Sequence, residues 1–152
     1  MARAKLTGDT SRVIVDRAEF VRAALFPERV DLVAVFRQGE DQRSIDLSAL
    51  ADDIEVEFVA AAGASASYRG IGGLIEGWRD WLEPWTSYEV VPEEQIEVGE
   101  QVVVLATLSG QTKHDRVTIE QPAAVVVSVE GDKISRLEFH LDREQALESA
   151  RR

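Results

Sequence analysis

Apolar residues Ile14, Ala18, Val21 and Leu25 recur at i, i+4, i+7 and i+11, which places them on one stripe of a helix starting near Ser11. Pro27 ends that helix. Because proline's φ is already helical, Pro27 also suits the first turn of a second short helix carrying Val30, Val33 and Phe36. Gly39 and the polar stretch Glu40-Asp41-Gln42-Arg43 stop this one. A helical turn is expected around Ser48 to Ala51. The segment Ile54-Glu55-Val56-Glu57-Phe58 then alternates apolar and charged side chains, the pattern of a strand with one wet face. Ala60 to Ser67, a run of small residues around Gly63, reads as a loop.

The most regular pattern follows. Ile71, Leu74, Ile75, Trp78, Leu82 and Trp85 keep helical spacing, with Trp81 beside the stripe, and they predict a third helix pressed on a sheet. Gly72, Gly73 and Gly77 are unfavourable in a helix, so they point to a close backbone approach or a bent first turn; Pro84 should end the helix. Ser87 to His140 is β-rich, with turn signals at Val98-Gly99-Glu100, Lys113-His114-Asp115 and Glu130-Gly131-Asp132, which predicts a four-strand meander. Ala123 to Val129 is nearly continuous in apolar residues, as in a strand covered on both faces. Helices would cover one face, and a partner subunit is expected on the other, giving a homodimer through the outer sheet face. Asp142-Arg143-Glu144-Gln145 reads as a helix start of capping-box type, leading to a last short helix that buries Ala146, Leu147 and Ala150.

No repeat or linker interrupts this order, so the expectation is a flexible tail over residues 1–10 and a single domain over 11–150. The length of 152 residues suits one core. With 17 Lys and Arg against 28 Asp and Glu, the formal charge is -11, a field that repels phosphate backbones and anionic lipid surfaces. Nucleic-acid and membrane partners are therefore not expected. The chain has no cysteine, which removes disulfides and thiolate metal sites. Without a signal-type apolar run, the cytoplasm is the expected location.

Tyr68-Arg69-Gly70-Ile71 opens a tryptophan-rich helix. Gly131-Asp132-Lys133-Ile134 turns into a strand ending His140-Leu141-Asp142-Arg143-Glu144-Gln145-Ala146-Leu147. In this order and spacing the chain resembles the SnoaL-like branch of the nuclear transport factor two-like superfamily, over about Ser11 to Ala150. His140 stands where a tyrosine is more usual. The resemblance implies an α+β fold: a cone-shaped, curved, mixed but mostly antiparallel sheet, three helices from the N-terminal half packed on its concave face, and a short C-terminal helix. It also implies a deep pocket, which in the superfamily's enzymes serves polyketide cyclases, ketosteroid isomerases, scytalone dehydratases and limonene epoxide hydrolases. Fold alone does not carry chemistry.

Carried over residue by residue, the catalytic acids of that superfamily meet apolar side chains here. The isomerase base falls on Phe58 and the hydrolase aspartate on Phe139. The hydrolase's other acid and its arginine fall near Ala106 and Leu108. The isomerase's oxyanion-stabilising acid falls near Gln121, whose amide is still a donor. A one-residue strand slip would exchange the faces, which makes Glu55, Glu57, Glu120 and Glu138 the acids to locate. Trp78, Trp81 and Trp85 suit a core stripe, with Trp81 as the pocket-edge candidate, and Tyr68 offers a ring and a hydroxyl to either a ligand or the backbone. His114 at a turn and His140, opposite in parity to Phe139, are expected at solvent or an interface. Neither a metal nor a cofactor is expected, and Glu89, Glu93, Glu94, Glu97 and Glu100 suit a solvated sheet edge. Phe58, Tyr68, Trp81, Leu108, Gln121 and Phe139 are thus the candidate ligand-binding residues, with no catalytic residue assigned. Three readings stay open: a binder of a small hydrophobic molecule, an isomerase, cyclase or dehydratase using a pocket carboxylate, and a structural dimerisation module.

Overall fold

A computed structural model describes residues 16–26, 31–36, 46–60 and 65–151. The 1–10 tail, Ile14, Pro27, Val30, and the expected stop at Gly39 to Arg43 lie outside the described residues. Helix α1 (Arg17–Leu25) is capped by the Asp16 carboxylate, which accepts from Glu19 N at 3.0 Å, and it buries Val21 and Ala24. Helix α2 (Leu32–Phe36) is a single apolar turn. Asp31 holds it in place: its Oδ1 accepts from Val33 N at 3.0 Å and from the distant Tyr88 N at 3.1 Å. A 3-10 turn (Leu47–Ala49) leads into strand β1 (Leu50–Val59).

Ser65–Arg69 forms strand β2, antiparallel to β1 with Val56 opposite Tyr68. This corrects the loop expected through Ser67. Backbone pairing to β1 makes this strand, and its small, exposed side chains at Ser65, Ala66 and Ser67 carry no apolar alternation to announce it. Helix α3 (Gly70–Trp81) follows directly. Gly70 sits at φ +81, a left-handed value that favours glycine. The helix ends at Trp81, before Pro84, and Trp85 opens strand β3 (Trp85–Val98). Trp85 therefore continues the helical spacing only in sequence, while Leu82 is fully buried in the intervening turn.

Strands β3, β4 (Gln101–Thr112), β5 (Thr118–Glu130) and β6 (Lys133–His140) form the expected meander. The sheet order is β2-β1-β6-β5-β4-β3; all neighbours are antiparallel except the parallel pair β1–β6. The sheet is curved, and α1, α2 and α3 lie in its hollow. The acidic strand β3 is an edge, which suits its glutamates.

Helix α4 (Arg143–Arg151) crosses the opposite face. Asp142 Oδ1 accepts from Glu144 N and Gln145 N at 2.9 and 3.2 Å, and the Arg143 guanidinium donates to the Ala106 and Ala123 carbonyls. Ala146 and Ala150 then pack on Val103, Ala124 and Val126. The outer face of β5 at Ala124 and Val126 is thus covered by the chain's own helix, where the sequence reading had placed a partner.

Candidate functional site

Between the helices and the concave face lies an apolar cavity of about 70 Å³. Leu25 and Phe26 at the end of α1, Leu32 of α2, and Leu74 and Trp78 of α3 form the helical wall. Val56 and Phe58 of β1, Val90 of β3, Val125 of β5, and Leu137 and Phe139 of β6 form the sheet wall. The strand residues sit there by parity: Val56 precedes Phe58 by two, Leu137 precedes Phe139 by two, and Phe58 and Phe139 are register partners.

One end of the cavity is a layer of rings. Phe58, Trp78 and Phe139 meet with centroids 5.1–6.3 Å apart, largely edge to face, the arrangement that ring quadrupoles favour. Behind them Trp81 packs on Phe58 at 5.5 Å and on Phe139 at 5.6 Å. Its indole Nε1 donates to the Tyr88 hydroxyl at 2.9 Å. Tyr88 is fully buried, and burial raises its phenol well above the ordinary range despite the Trp81 bond. Gly77 explains how α3 comes so close, since a Cβ there would stand 2.7 Å from Phe58 Cε1 and 2.8 Å from Tyr68 Cδ1.

The candidate residues separate into three groups. Phe58 and Phe139 line the cavity. Trp81 and Tyr68 stand one ring back, Tyr68 edge-on to Phe58 with its hydroxyl donating to Asp80 Oδ2 at 3.1 Å. Leu108 is buried in the core and pairs with the half-buried Gln121, and neither lines the cavity. Leu74 belongs to the core cluster, Trp78 packs against it, and both also form part of the cavity wall; the helical stripe locates them but does not separate wall from core. Leu137 and Val56 were within reach of period-two counting from the two phenylalanines.

Glu55, Glu57 and Glu138 have the opposite parity and point to the convex face. There the Arg136 guanidinium reaches all three, donating to Glu55 at 3.1 Å, Glu57 at 2.8 Å and Glu138 at 3.0 Å, while Arg69 also binds Glu55 at 2.7 Å. Glu120 is exposed. Glu138 Oε1 also meets His140 Nε2 at 2.9 Å and the Ser149 hydroxyl of α4 at 2.8 Å. The hydrogen bond with His140 first, then those from Ser149 and Arg136, bring the Glu138 carboxyl down to about 2 against the opposing effect of burial. His140 is only 3 % exposed. It is therefore buried on the outer face near α4, which corrects the solvent half of the expectation of solvent or an interface; the Glu138 carboxylate partners its Nε2, while its Nδ1 has no partner among the described residues. His114 is exposed in its turn. No group of three or more His, Asp or Glu among the described residues is arranged to hold a metal ion, and no described helix is long and apolar enough to cross a membrane.

The sequence profile of the SnoaL-like domain matches residues 32–137, a span that holds most of the cavity wall. Among curated proteins none is similar in sequence. Several solved structures share the fold. A protein assigned as a SnoaL-like polyketide cyclase from Jannaschia sp. CCS1 superposes with a TM-score of 0.62 at 15% identity, over 94% of this chain and 98% of its own. TerC, co-crystallized with polyporic acid, gives 0.59 at 20% identity over 89% and 98%. An NTF2-like protein of unknown function from Burkholderia pseudomallei K96243 gives 0.59 at 21% over 86% and 94%. At these identities the likeness is one of fold.

Proposed function

The chain belongs to the SnoaL-like domain family, and on that footing we propose that it binds a small apolar molecule in its cavity without acid–base chemistry. The observation that carries this reading is the composition of the wall: all eleven lining residues are apolar. Transfer of an apolar molecule into such a site is favoured at roughly 25 cal/mol per Å² of surface removed from water. A general base needs an ionisable group within hydrogen-bond reach of the proton it takes. Of the acids that a strand slip would have brought to the wall, Glu55, Glu57 and Glu138 are held on the convex face by Arg136 and Glu120 is exposed, which weighs against an isomerase, cyclase or dehydratase using a pocket carboxylate.

Phe58 and Phe139 are the candidate ligand contacts on this reading. Tyr68, Trp81, Leu108 and Gln121 support the wall from behind or lie further along the sheet. A homodimer through the outer face belongs to the same reading. Its support is the partly buried apolar set Ile96, Val98, Leu105 and Leu147 around α4, and sedimentation should give twice the chain mass. The binding claim is tested by titrating the protein with a graded panel of apolar molecules while following tryptophan emission, because Trp78 stands in the wall. A saturable shift with at least one member is expected; flat emission across the panel contradicts the proposal.

A further inference from the structure

Building on that apolar-cavity reading, we propose that the site admits molecules up to about one six-membered ring, and that Trp81 and Tyr88, neither of which lines the cavity, set the limit. The first ground is volume. An engineered apolar cavity of roughly 150 Å³ accepts benzene, and the space here is about 70 Å³, so a single ring requires the wall to open about two-fold and a fused pair requires a wall ring to be displaced.

The second ground is what stands behind the wall. A larger molecule that displaces Phe58 or Phe139 drives the ring into the volume of Trp81, which already packs on both. Trp81 is tied in turn, since its Nε1 donates to Tyr88 at 2.9 Å and Tyr88 has no exposed surface. Moving the indole leaves that donor and a buried phenol without each other, and a buried polar group deprived of its partner is costly. On the helix side Phe58 cannot retreat, because the α3 backbone at Gly77 is already against it. Close-packed interiors of this kind yield in discrete steps rather than by gradual expansion. The hydrogen bond between Trp81 and Tyr88 therefore acts as a lock on the floor of the cavity.

The test compares benzene with naphthalene at matched aqueous activity, by ligand-observed NMR and thermal melts, in the wild type, Tyr88→Phe and Trp81→Leu. Tyr88→Phe keeps the ring and removes the acceptor; Trp81→Leu removes the plug. Wild type should favour benzene by at least about ten-fold, a difference of about 1.4 kcal/mol. Each variant that circular dichroism shows to be folded should shift the naphthalene-to-benzene affinity ratio about ten-fold or more toward naphthalene. Should Trp81→Leu fail to fold, Tyr88→Phe decides. Wild type binding both probes equally, or folded variants keeping the wild-type ratio, overturns the size limit and leaves the cavity reading standing. Silence toward both probes overturns the two together.

Discussion

Folding holds the Glu138 carboxyl well below its ordinary range. It is brought from 4.5 to about 2 by His140, Ser149 and Arg136. A carboxyl depressed in the folded state stabilises the protein above its unfolded value, and that contribution is lost as pH falls from 4.5 through 2. After allowance for solvent screening of the Arg136 side, the effect is about 2 kcal/mol. Urea denaturation should show stability falling across that window, and Glu138→Gln should flatten the fall while lowering stability at pH 7; an unchanged slope would contradict the role given to this network. Period two was enough to put Glu55, Glu57 and Glu138 on one face. Which face it was, and that His140 would be buried there, depended on Arg136 and α4, which no local pattern connects to them.

Helix α3 offers a paired prediction, because two of its glycines differ in surroundings. A Cβ at Gly77 would press on Phe58 and Tyr68 at under 3 Å, whereas at Gly72 nothing lies within 4 Å. Gly77→Ala should therefore cost about 1–3 kcal/mol through overpacking, and Gly72→Ala should be neutral or gain up to about 1 kcal/mol through helix propensity. Thermal melts of both variants check the contrast, and equal effects would mean that α3 is not pressed on those rings. Helix α4 carries a second test. Asp142→Ala removes the acceptor for two backbone N–H groups and should cost about 1 kcal/mol, with faster amide exchange in α4 and at Val126 beneath it. These elements were readable because apolar spacing and capping chemistry are local. Strand β2 was not, since its pairing with β1 is a backbone event and Ser65, Ala66 and Ser67 bury nothing.

At the scale of the whole molecule, the meander and the helix order follow from turn signals and alternation that sequence carries directly, and the concave core from the family resemblance. The cavity was legible only in part. Phe58 and Phe139 reach it through strand parity, but the helical wall of Leu25, Phe26, Leu32, Leu74 and Trp78 is assembled from three separate elements, and such convergence has no sequence period. The covering of Ala124 and Val126 by α4 is likewise a tertiary event, which an apolar strand alone does not distinguish from a subunit contact. The central claim, that the hollow of the sheet takes up a small apolar guest, is tested most directly by methyl NMR of leucine- and valine-labelled protein titrated with benzene. Saturable shifts are predicted for the wall methyls of Leu74, Val56, Val90, Val125 and Leu137, with Val103 and Val126 on the convex face unmoved. Wall methyls that stay still while the convex-face valines respond, or no response anywhere, would contradict it.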